Sequence, residues 1–202
     1  DDSLSMAKAG AGDAALTALA ALSTALTQLE AGDLGVLAFG DDVRVLHDLG
    51  AGPLQGAAAR RVAAQFHFDR PVTNAVALLQ AAIAALRDAR HHRASSSTDC
   101  LQLAIVISDG HFDSGSRLAL RRLQRDAADD GVALVLLLLD QPGRNSLLDM
   151  KLVDFSDGQV RTTPYLDDFP FPCYVLIRDV AALPETLAVA LKQWFEFHNH
   201  GR

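Results

Sequence analysis

Two apolar runs decide what this chain can build. Leu101–Ile107 (LQLAIVI) leads into Ser108-Asp109-Gly110, and Val132–Leu139 (VALVLLLL) closes on Asp140. A strand with one wet face alternates apolar and polar residues. A strand that is apolar throughout must be covered on both faces, as in parallel sheets with helices above and below. Between the two runs, Ser116–Asp129 puts Leu120, Leu123 and Ala127 on one helical face and Arg117, Arg121, Arg122 and Arg125 on the solvated one. Earlier segments fit the same plan. Met6–Glu30 carries a helical stripe of Leu16, Leu19, Leu22, Leu26 and Leu29, with Gly10 and Gly12 loosening its entry. Leu34–Phe39 is a short buried strand. Val43, Val45 and His47 alternate with polar residues as its hairpin partner. Pro53–Gln65 is a short helix, and the segment after Asn74 is a longer one with Val76, Leu79, Ile83 and Leu86 on one face. This alternation predicts an α/β fold: a doubly wound, mostly parallel sheet with helices on both faces, Rossmann-like in plan.

A chain of 202 residues, half of them apolar, suffices for one domain with a sizeable core. We read 1–202 as that single domain. Asp1 reads as the end of a strand whose body should lie before it, so the first strand is expected to be missing from this numbering. The region of about 141–171 departs from the α/β rhythm. It holds a helical turn at Ser146–Met150, a small β-hairpin over Phe155–Thr163 around Asp157-Gly158, and a stiff Phe169-Pro170-Phe171-Pro172 stretch. It reads as an insert before a last strand, Cys173–Ile177, and a final helix from Pro184 carrying Leu187, Leu191, Trp194 and Phe195. His91–Cys100 reads as a polar loop, and its His91-His92 pair lacks partners at zinc spacing. The net charge of -7 argues against a nucleic-acid surface. The eight-residue run Val132–Leu139 is far short of the ~20 residues that span a bilayer. Cys100 and Cys173 make no disulfide framework and read as reduced thiols.

In parallel α/β sheets, function gathers at the carboxyl ends of the strands. Three polar loops fall at that edge. Asp1, Ser3 and Ser5 alternate at a strand-to-helix turn, Thr73 precedes a helix, and Asp109 ends a central strand. Each taken singly has an ordinary use: Ser, Thr and Asp are favoured helix caps, and Asp-Gly makes turns. Taken together they offer three hydroxyls and two carboxylates to one hard cation, which takes oxygen ligands in near-octahedral geometry.

Asp1-x-Ser3-x-Ser5, Thr73-Asn74 and Ser108-Asp109-Gly110 resemble the metal-ion-dependent adhesion site (MIDAS) of von Willebrand factor A domains, and the resemblance covers nearly the whole chain. Ser146–Lys151 (SLLDMK), Tyr165–Tyr174 (YLDDFPFPCY), Leu183-Pro184 and Gln193-Trp194-Phe195 are similar to the C-terminal A domain of the dynein-like AAA ATPases of ribosome assembly. The resemblance implies that Ser3, Ser5 and Thr73 bind Mg2+ through their hydroxyls, with Mn2+ or Ca2+ as alternatives. Asp1 and Asp109 would bind directly or through water. His111, Asn74 and Phe112 would form the rim that touches a partner. It implies no catalytic residue in this domain. Its partners would be the ubiquitin-like domains of WD40-type pre-60S assembly factors and the parent chain's own AAA ring, in the nucleus (nucleolus and nucleoplasm), with no direct nucleic acid and no membrane. The insert would hold the domain against the ring or enlarge the docking face. The alternatives are an integrin-type adhesion domain, another A-domain ligand-binding module, a metal-free structural A domain, and a phosphotransferase of the haloacid dehalogenase type. The last needs a second Asp where Ser3 stands.

Overall fold

In chain order the described residues form α1 (Leu4–Lys8), α2 (Gly12–Gln28), β1 (Val36–Phe39), β2 (Val43–His47), α3 (Gly56–Ala63), α4 (Ala75–His92), β3 (Gln102–Ser108), α5 (Arg117–Asp129), β4 (Val132–Leu139), β5 (Lys151–Asp154), β6 (Arg161–Pro164) and β7 (Tyr174–Ile177). The computed structural model describes residues 1–92, 102–140, 146–154, 161–171 and 173–183. The expected loop beyond His92, the Asp157-Gly158 turn and the helix from Pro184 lie outside them.

The two apolar runs pair as anticipated. β3 lies parallel to β4, from Gln102 opposite Val132 to Ser108 opposite Leu138, and β7 lies parallel along the other side of β4. β4 is therefore central to three strands and covered on both faces. Leu136 and Leu138 pack with Leu79 and Ile83 of α4 and Leu120 and Ala127 of α5. Val135, Leu137 and Leu139 pack on the opposite face with Met6 of α1 and Ala15, Ala18 and Leu22 of α2. Each leucine fully buried this way stabilises the fold by roughly 1.5–3 kcal/mol. β1 and β2 form an antiparallel hairpin. Residues 1–3 lie between that hairpin and the parallel strands. The Asp1 amino group donates to the Ile107 carbonyl of β3 (3.0 Å), and the Asp2 N–H donates to the Phe39 carbonyl of β1 (2.8 Å). Ser3 makes a parallel bridge to Arg70.

Several details differ from the sequence pattern. The first helix is two: Gly10, at φ +68°, ends α1, and the chain restarts at Gly12. The inward face of α2 is Ala15, Ala18 and Leu22, and Leu29 is exposed, because small side chains let this helix approach the sheet closely. In β2 the valine at 45 faces solvent while Arg44 turns toward the buried Asp2 carboxylate, so ion pairing overrides the alternation. His91 and His92 finish α4 rather than open the loop that follows it. The insert's hairpin is wider than expected: Lys151–Asp154 pairs with Arg161–Pro164.

Candidate metal centre

The carboxyl end of β3 and the loop of residues 1–5 meet through side chains. Asp1 accepts from the Ser3 N–H at Oδ1 (2.9 Å) and from the Ser108 hydroxyl at Oδ2 (2.5 Å). The Ser3 and Ser5 hydroxyls lie 2.8 Å apart. Asp1, Ser3 and Asp109 are buried, and Ser5 is half-buried. The parallel bridge of Ser3 to Arg70 holds this loop extended until α1 begins.

Asp109 carries the electrostatic weight of the site. Its Oδ1 accepts the His111 N–H (3.2 Å) and lies 3.4 Å from the His111 Nδ1. Its Oδ2 is buried with no hydrogen-bond partner. Burial by itself pushes the carboxyl up. The His111 side chain, the Ser5 hydroxyl and the His111 amide outweigh it and hold Asp109 below the usual carboxylate value. His111 is correspondingly raised, chiefly by its bond to Asp109, against the opposing effect of its own burial. An ionised oxygen buried without a partner costs about 1–3 kcal/mol or more and calls for an ion or a water. A hard divalent cation fits the donor set, which is all hydroxyl and carboxylate oxygen. Among the described residues no three His, Cys, Asp or Glu side chains converge on one point, so any such site depends on the serines and the threonine.

Asp1, Ser3, Ser5 and Asp109 are thus brought together by contacts. Thr73 reaches the same edge along the backbone. The Asn74 N–H donates to the Gly40 carbonyl (2.8 Å), one residue from the Phe39 carbonyl that holds Asp2. Of the expected rim, His111 is partly exposed. Asn74 spends its side-chain oxygen on the Ala77 N–H (3.0 Å) and so caps α4. Phe112 is a correction: it is only 8% exposed and packs against Phe169 and Phe171, with ring centroids 6.0 and 5.4 Å away. An apolar ring beside two others gains more from the core than from the rim.

Sequence reasoning missed two supports. Asp2, whose side chain is fully buried, accepts the N–H groups of His67 (2.8 Å) and Phe68 (2.6 Å) at Oδ1, and pairs with Arg44 at Oδ2 (2.5 Å). It therefore fastens the segment that leads into Thr73. Ser108 donates to Asp1 and accepts the Gly110 N–H (3.1 Å), joining the first and third loops. The doubled aspartate and the serine before Asp109 were the available signals.

The architecture is that of a von Willebrand factor A-like domain. It is similar to the conserved hypothetical protein BatB from Bacteroides thetaiotaomicron, with a TM-score of 0.53 at 14% identity over 90% of this chain and 89% of that one, which supports the fold. No protein-family profile matches the chain. In sequence the chain is similar to midasin: 31% identical to midasin of Dictyostelium discoideum over 197 residues and 35% identical to midasin of Giardia intestinalis over 201, each match covering 97% of this chain. It spans only 3% and 4% of those proteins' lengths, so the likeness is to one short segment of each.

Proposed function

We propose that this domain is a Mg2+-dependent docking module of a midasin-like AAA ATPase. The observation that carries the reading is the buried, unpartnered Asp109 Oδ2 beside the paired Ser3 and Ser5 hydroxyls. Ser3, Ser5 and Thr73 would hold the cation through neutral oxygens, with Asp1 and Asp109 supporting it. Mn2+ or Ca2+ would serve in place of Mg2+. Neutral ligands leave the ion under-neutralised, so it attracts a carboxylate from a second protein. The proposed role is recognition rather than catalysis: the His111 ring faces Asp109 Oδ1 at 3.4 Å, as an ion-pair partner of the site's own carboxylate. The proposed partners are ubiquitin-like domains of WD40-type pre-60S assembly factors, each supplying one acidic side chain. The parent ATPase ring would then pull the docked factor away during 60S maturation, in the nucleus.

Calorimetry tests the reading. The domain is titrated with Mg2+ and then with a ubiquitin-like domain of such a factor, in Mg2+ and in EDTA, with Asp109→Ala alongside. Binding that disappears with EDTA and with the substitution supports the bridge. Partner binding that survives both sinks it.

A further inference from the structure

Tyr165 belongs to the insert, yet its hydroxyl sits on the third loop of the candidate metal centre. It donates to the Gly110 carbonyl (2.9 Å) and accepts the Phe112 N–H (3.3 Å). That same N–H closes a three-residue turn onto the Gly110 carbonyl (3.0 Å), so the hydroxyl bridges both ends of the turn that follows Asp109. The ring is held in place. It is 6% exposed and stands edge-on to Phe169 at 5.7 Å, and the Tyr165 N–H donates to the Met150 carbonyl (2.9 Å). The insert also grips the turn through Leu147. A β-carbon built on Gly110 would lie 2.8 Å from Leu147 Cδ1. Leu147 is in turn fixed by Asp140 at the end of β4, which accepts the Leu147 N–H (2.8 Å) and the Ser146 hydroxyl (2.9 Å).

Asp109 is anchored before by β3. After it, the anchors are its own bond to the His111 N–H, the Ser108 hydroxyl on Gly110, and this grip from the insert. From this we infer that Tyr165 is a positioning residue for Asp109, and that the insert buttresses the metal centre from behind. The inference rests on the metal-docking reading above. The phenol is chosen by the geometry: one group must accept from an N–H and donate to a C=O two residues apart, which a hydroxyl does and a phenyl ring does not.

The test is Tyr165→Phe, which keeps the ring packing and removes the oxygen. Amide exchange is followed residue by residue by NMR without metal, and Mg2+ affinity is measured by calorimetry. The expected result is about tenfold faster exchange at His111 and Phe112, with Leu136–Leu138 of β4 unchanged, and Mg2+ affinity lowered about three- to tenfold. Uniformly faster exchange with unchanged Mg2+ affinity would make Tyr165 a core residue only and overturn the inference. If the unaltered protein binds Mg2+ and Tyr165→Phe binds it equally tightly, the inference falls alone. If the unaltered protein takes up no Mg2+, the docking reading falls with it.

Discussion

Replacing Asp2 with alanine should unfold this domain far more readily than its position in an opening loop suggests. The carboxylate is fully buried and serves three close donors: the N–H groups of His67 and Phe68, and the Arg44 guanidinium at 2.5 Å. Arg70 stands further off, at 4.0 Å. Truncation leaves two amides without an acceptor, at about 1–3 kcal/mol each when water does not replace it. Breaking a buried ion pair costs about 3–5 kcal/mol. Arg44 and Arg70 are partly exposed and regain water, so the larger figure is discounted and the terms do not add. A net loss of about 3 kcal/mol follows. With a urea slope of about 2 kcal/mol per molar, the midpoint should fall by about 1.5 M. Asp2→Asn keeps an acceptor for both amides but loses the charge facing Arg44, and should cost roughly half as much. Urea unfolding in EDTA, followed by circular dichroism, reads both variants. A shift under about 0.3 M for Asp2→Ala would refute the claim that this carboxylate ties the 65–70 segment to the first loop.

Gly110 sits at φ +79°, and a β-carbon there would lie 2.6 Å from Leu138 Cδ2. Gly110→Ala should therefore cost about 2–4 kcal/mol in unfolding experiments, and a neutral result would mean the turn is not held where it is described. Asp109 holds His111 above its ordinary value of 6.5, so their pairing stabilises the metal-free fold fully below that pH and is lost as pH rises through the folded value. The melting temperature in EDTA should thus exceed that of His111→Gln more at about pH 5.5 than at about pH 8.5, and an equal gap at both would disprove the pairing. Mg2+ at about a hundredfold over its dissociation constant should stabilise the domain by about 2.7 kcal/mol, visible as a raised melting temperature. The rise should vanish in Asp109→Ala, and a rise that persists there would place the ion elsewhere.

Much of this fold could be read without coordinates. Continuous apolarity in Val132–Leu139 demands cover on both faces, and that demand alone implies parallel pairing, flanking helices and a polar edge where the strands end. Asp1, Ser3, Ser5 and Asp109 could be nominated because small oxygen side chains at strand ends have few other common uses beyond capping. Local pattern was a poorer guide wherever a distant charge intervened. Arg44 faces inward because Asp2, 42 positions away, needs a partner, and no periodicity within β2 encodes that need. Phe112 follows Asp109 by three residues and read as rim, but the rings that enclose it arrive from Phe169 and Phe171. The sequence by itself determined the buried parallel strands, the first hairpin, most of the helices and the residue types of the polar edge, because these follow from periodicity and residue type; the strand Lys151–Asp154 was not among them. Only the tertiary structure decided that Asp2 fastens the Thr73 segment, that Ser108 joins the first loop to the Asp109 loop and that Tyr165 grips the Asp109 loop from the insert. Each of those contacts is a hydrogen bond or ion pair closed across a long stretch of chain, and its partner is chosen by packing rather than by its neighbours in sequence.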